Sequence, residues 1–214
     1  MTVFLQGVYE GIINGSILAL IAMGIALVWG VMNILSFSQG EFLMLGMFVS
    51  YYANRYLGLD PIVAMPLSAG ALFLLGIVIY KLIISRALRG PILSQRLITF
   101  ALSMVLVYSA QMFFGAEYKQ LVNPVIFSGT IDLGFITIAK QKLVPFILAL
   151  LVAGLLFLFL NRTRMGKAIQ ATSMDRYAAG LVGINPDRSY TIAFAIASAV
   201  AGAAGCALTY YYYM

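Results

Sequence analysis

Asn33-Ile34-Leu35-Ser36-Phe37-Ser38-Gln39-Gly40-Glu41 is the stretch on which the fold turns. It closes an uncharged run that opens at Gly11, and Phe42 to Ala53 is apolar again after it. A run from Gly11 to Gly40 is too long for one simple helix across a hydrocarbon core of about 30 Å, which needs roughly 20 residues. Ser38-Gln39-Gly40-Glu41 has capping-box spacing, so Ser38 is expected to satisfy the amide of Glu41 while Glu41 reaches back to Ser38. The helix begun there has roughly 13 residues before Asn54 and Arg55, the length of a half-helix or re-entrant segment. Freed backbone at membrane depth is tolerated only where it is buried in protein or lines a water-filled path. Asn33, Ser36, Ser38, Gln39, Gly40 and Glu41 are therefore the candidate substrate path, with the amide-rich helix start offering partial positive charge to a carboxylate. The alternative is an ordinary turn before a well-capped helix.

Outward from that stretch, further uncharged runs span Pro61 to Tyr80, Leu97 to Ala116, Leu143 to Leu160 and Ser189 to Met214. With 63% hydrophobic and 9% charged residues, the chain needs the bilayer as solvent for much of its surface. Glu10 stands where a signal peptide carries a basic region, so the first segment is retained. The expected fold is an all-α polytopic transmembrane helix bundle with a broken or re-entrant helix, forming one transmembrane domain over residues 1–214. The last apolar run ends without a polar flank, which leads us to expect an incomplete C-terminus.

With no histidine and one cysteine, Cys206, disulfide frameworks, Cys/His metal sites and Ser-His-Asp or Cys-His catalysis are excluded, and no cofactor is expected. The net charge of +6 is concentrated in connections. Lys81 to Arg96 holds four basic residues and no acid, and Asn161 to Arg188 is also basic, so both are expected in the cytoplasm. Glu117 to Lys142 is nearly balanced and faces outward; its β-branched residues around Ser128-Gly129 predict a short hairpin. Gly7, Gly11 and Gly15, then Ala22, Ala26 and Gly30, then Ala197, Ala201 and Gly205 beside Ser198, Gly202 and Cys206, have the spacing of close helix packing.

Arg162 to Arg188 contains helical patterning at Ala168 to Thr172 and Tyr177 to Val182, with Gly183 as C-cap and Asn185-Pro186 as a turn. A short helix along the membrane surface with an Ala/Gly-rich edge is predicted; simple interfacial anchoring is the alternative. Arg164-Met165-Gly166-Lys167-Ala168, followed by Asp175-Arg176-Tyr177-Ala178-Ala179-Gly180-Leu181-Val182-Gly183-Ile184-Asn185, resembles the coupling loop of ABC permeases for branched-chain amino acids. Asn33 to Gly46 resembles that family's membrane motif, and Ser85 to Arg89 also fits. The similarity covers essentially the whole chain.

The resemblance implies a permease subunit in the inner (plasma) membrane that translocates leucine, isoleucine or valine. Its partners would be a second permease, cytoplasmic ATPases and a periplasmic or extracellular binding protein. Asp175, Arg176, Ala178, Ala179, Gly180, Gly183, Ile184 and Asn185 would couple to the ATPase. The chain itself lacks Gly-x-x-x-x-Gly-Lys-Ser/Thr, so ATP hydrolysis is expected in a partner and the chain is not expected to be an enzyme. Ser38 and Gln39 stand where relatives tend to have alanine and histidine, and Met174-Asp175 where two acids are common, which bears on the substrate. A permease or passive channel for urea, short amides or a sugar is the rival reading, and a membrane enzyme the third.

Overall fold

A computed structural model describes residues 2–34, 36–115, 117, 119, 130–132 and 137–209. The long helices are α1 (Thr2–Met32), α2 (Gln39–Leu57), α3 (Pro61–Ile79), α5 (Ile92–Phe114), α6 (Lys140–Arg162) and α9 (Pro186–Leu208). A π-helical turn, Tyr80–Ile84, carries α3 into the short α4 (Ser85–Ala87). The remaining helices are α7 (Arg164–Met174) and α8 (Arg176–Leu181). Among the described residues, four helices are long and apolar enough to cross a membrane, and a fifth if α6 and α7, bent by 80°, count as one span. The protein is a multi-pass, all-α membrane bundle.

Local chemistry sets most helix ends. Asp60 accepts from the Ile62 amide at 3.1 Å ahead of Pro61, and Asn185 accepts from the Arg188 amide at 3.2 Å ahead of Pro186. Both are side-chain caps followed by a proline whose missing N–H costs nothing in the first turn. The sharp α6–α7 corner needs Gly166. A Cβ there would run into the Phe159 carbonyl and the Leu160 backbone, while Thr163 caps α7 by accepting from the Gly166 amide at 2.9 Å.

α9 is the axis of the bundle: 83% of its apolar window is buried, against 17% for α5. Lipid tails are as apolar as leucine, so helices associate here by close packing instead of hydrophobic transfer. Small residues make that possible. A Cβ on Gly205 would lie 2.8 Å from the Met47 amide nitrogen, and one on Gly46 would lie 2.7 Å from the Gly202 carbonyl oxygen. On the α3 side a Cβ at Gly76 would meet Ser198, and Ser68 donates to the Gly202 carbonyl at 3.2 Å. Cys206 is buried with its sulfur 3.8 Å from the Gly46 carbonyl, the packing role its setting predicts.

The glycine row of α1 behaves differently from its prediction. Gly7, Gly11, Gly15 and Gly30 have nothing within 4 Å of an added Cβ. α1 instead packs through Ile13, Leu20, Gly24, Leu27, Val28 and Val31, which lie on the opposite face. The basic connections share one end of the bundle, where Tyr80 donates to Asp187 at 2.9 Å and Ile84, Ile169 and Tyr190 join one core. At the far end, Thr130–Asp132 (β1) pairs antiparallel with Thr137–Ala139 (β2), Ile131 opposite Ile138. Both paired strands come after Ser128-Gly129, so this is not the hairpin expected around that pair; the predicted turn itself lies outside the described residues, as does Tyr210 to Met214.

Candidate functional site

The polar stretch after α1 does return into the bundle. Asn33 ends α1 with a left-handed φ of 55°, a conformation asparagine tolerates better than most residues. Gln39, the first residue of α2, donates from Nε2 to the Ala197 carbonyl at 2.9 Å. Ala197 lies eleven residues into α9, so α2 starts about 16 Å from the α9 N-terminus, near the middle of a core of about 30 Å. Gly24 meets the same point: a Cβ there would be 3.0 Å from Gln39 Nε2 and 3.2 Å from the Ala197 oxygen. α1 continues eight residues past that level, about 12 Å, and the chain then climbs back. From Gln39, α2 runs parallel to α9, with Phe42 on Phe194 and Gly46 on Gly202.

Two predicted details are corrected. Ser38 makes no side-chain cap; its hydroxyl is 3.1 Å from that of Ser36, and both are buried. The Glu41 carboxylate turns away from the Ser38 amide and accepts from Ser103 of α5 at 2.6 Å. A helix start buried in protein can bond serines to each other, and the carboxylate finds a better donor on a neighbouring helix, so the capping box is not formed. α2 is also longer than the predicted 13 residues, because Asn54 is absorbed into the helix, donates to the Leu59 carbonyl at 3.1 Å, and leaves Gly58 at φ 63° to end it.

The six path residues divide into two faces. Ser36, Ser38 and Gln39 point inward and are buried, while Asn33 and Gly40 are exposed and Glu41 is half-buried. Beside Glu41, Phe37 and Phe100 pair edge to face at 6.3 Å with both rings partly exposed. Ser103 and Phe100 were not singled out from sequence. A serine within an apolar span was the available signal for the first.

At the basic end, Asp175 caps α8 by accepting from the amides of Tyr177 at 2.8 Å and Ala178 at 3.0 Å. Gly183, at φ 84°, closes it, with the Gly183 amide bonded to the Gly180 carbonyl and the Ile184 amide to that of Ala179. That is the Schellman arrangement a C′ glycine permits. Asn185 then caps α9, so α8 and α9 share one short, fully bonded corner. Arg176 lies 5.5 Å over the Tyr190 ring and Ala179 is buried, which seats α8 on α9.

The edge of α8 is not the small-residue strip expected. Ala179 faces inward, Ala178 and Gly180 face out, and Ile184 is half-buried. The projecting groups are apolar and large: Tyr177, Leu181 and Val182, with Met174 before the helix, are between 73% and 89% exposed. Arg176, Tyr177, Gly180, Leu181 and Pro186 line a shallow depression of about 360 Å³. Such a cluster at a bundle end is the composition of a contact surface.

Comparison with known proteins agrees with this architecture. The family model described as branched-chain amino acid transport system, permease component, matches residues 7–213. The chain is 31% identical over 220 residues to the high-affinity branched-chain amino acid transport system permease protein LivH of Salmonella typhimurium, and equally to LivH of Escherichia coli K12; each alignment covers 98% of this chain and 71% of LivH. It is 28% identical to BraD of Pseudomonas aeruginosa, named for the same kind of system, over 96% of this chain and 70% of BraD. No solved structure matches.

Proposed function

Since this chain belongs to the permease-component family of branched-chain amino acid transport systems, we propose that residues 1–214 act as one transmembrane unit that carries leucine, isoleucine or valine across the inner (plasma) membrane. ATP hydrolysis takes place in a separate cytoplasmic subunit, which docks on α7 and α8. A second permease completes the channel, and a periplasmic or extracellular binding protein delivers the substrate. The basic end of the bundle faces the cytoplasm, as the positive-inside rule requires.

The observation that carries this reading is the start of α2 at mid-bundle, with Glu41 on its open side. A zwitterionic amino acid presents a carboxylate, an ammonium and an apolar side chain. The first-turn amides of α2 suit the carboxylate through the helix dipole. The Glu41 carboxylate suits the ammonium, and the exposed Phe37–Phe100 pair supplies apolar surface for a branched side chain. Half-buried acids at membrane depth are expensive and mark functional paths.

Glu41→Ala is accordingly expected to lower the initial uptake rate about tenfold, the scale of one lost charged hydrogen bond, while the amount of inserted protein stays near wild type. Glu41→Gln keeps an acceptor for Ser103 and should fall between. Equal uptake by wild type and Glu41→Ala, per inserted molecule, would remove Glu41 from the path.

A further inference from the structure

The Gln39 amide is held by one end only: Nε2 donates to Ala197, whereas Oε1 is buried without a hydrogen-bond partner. Gln39 is 1% exposed, and an unmade bond at such a site costs about as much as a made one contributes. A buried amide left half-satisfied at the junction of α1, α2 and α9 calls for a reason beyond packing. We propose that Gln39 is a positioning residue of the transport cycle, a latch that ties the first turn of α2 to the rod α9 and is made and broken as the path opens and closes.

Three further observations support it. α9 is continuous from the capped corner at Asn185 to Leu208, so displacement of α8 by a docked partner reaches Ala197 as rigid-body motion. α2 also meets α9 through the edge-to-face ring pair Phe42–Phe194, glycine backbone approaches, Leu43 and Met47 beside Leu208, and one long thiol contact. Those are packing contacts. The Gln39–Ala197 bond is directional, and it sits where α2 begins, two residues from Glu41. Finally, Gly24 leaves the space that the amide fills; any side chain there meets Nε2 first. The unpaired Oε1 makes this state of the latch shallow, because a second state that gives Oε1 a donor recovers the missing bond.

The inference rests on the permease reading, and its test separates the two. Vesicles holding the chain with its permease partner, ATPase and binding protein are assayed for labelled leucine uptake and ATP hydrolysis together. Gln39→Leu keeps the bulk and removes the donor; uptake per ATP hydrolysed is expected to fall about tenfold with hydrolysis itself within about twofold of wild type. Gln39→His, which restores an N–H donor, should recover most of the ratio. A merely structural role lowers both activities together and leaves the ratio unchanged, and that result overturns the latch. If Gln39→Leu does not accumulate, Gly24→Ala decides, since it displaces the amide with Gln39 retained: a fallen ratio supports the latch and an unchanged one overturns it. Wild-type vesicles without ATP-dependent uptake would remove the permease reading itself, and the latch with it.

Discussion

Gly205→Val is expected to abolish the native packing of α2 on α9 and to leave little folded protein in detergent. An added Cβ at this position meets the Leu43 carbonyl oxygen, the Met47 nitrogen at 2.8 Å and the Gly46 carbonyl carbon at 3.0 Å, all of them backbone. Side chains can rotate away from an intruder, but helix backbone cannot. The two helices must separate, and in a membrane no hydrophobic term pulls them back together. Overpacking of this kind costs about 1–3 kcal/mol where neighbours yield, and more where they do not. For a chain of this size each kcal/mol shifts a melting midpoint by roughly 2–4 °C, so a loss of at least about 5 °C is expected. Gly11→Val supplies the control, since nothing lies within 4 Å of its added Cβ. Equal melting shifts for the two variants, followed by tryptophan fluorescence in detergent, would contradict the packing described.

The second large effect is expected at α8. Leu181→Asp places a charge on a side chain that is 73% exposed and touches no core, so the bundle should fold as before. If the ATPase seats on the apolar face of Tyr177, Leu181 and Val182, loss of one central anchor is worth about 2 kcal/mol or more, roughly a thirtyfold loss of docking. Gly180→Leu tests the same face by bulk, because open space surrounds Gly180 in this chain. Gly183→Val acts through the backbone: a β-branched residue at φ 84° is strained by roughly 1–2 kcal/mol, which loosens the corner between α8 and α9. Copurification of the ATPase and substrate-stimulated hydrolysis read all three. Normal docking in every variant would leave α8 as a membrane-surface anchor.

What sequence made legible follows a physical rule. Features set by neighbours in the chain were readable: the apolar spans, the start of α2 at Ser38–Gln39, the Gly183 cap and the Asn185-Pro186 turn. So was the tight packing of Ala197, Ala201, Gly202 and Gly205, because a whole helix of small residues has few other uses. Features set by distant partners were not. Glu41 had its capping partner three residues away and took Ser103 from another helix instead. Gln39 reaches across 158 positions to Ala197, and no local pattern encodes that. Among the glycines of α1 the regular row Gly7, Gly11, Gly15 drew attention, yet the isolated Gly24 is the one that touches the site. Spacing marks a face that can pack closely; only the third dimension selects the face that does. On α8 the outward direction of Tyr177, Leu181 and Val182 depends on Ala179 being the residue that seats against the bundle.

The central claim, translocation of branched-chain amino acids driven by a partner ATPase, is tested most directly by uptake. Sealed vesicles containing this chain, its permease partner, the ATPase and the binding protein are supplied with ATP and with labelled leucine, isoleucine, valine, urea and glucose in separate reactions. ATP-dependent accumulation of the three branched-chain amino acids, and of neither urea nor glucose, is the predicted result. Accumulation of urea or glucose in their place, or equilibration of any of these solutes without ATP, would contradict it.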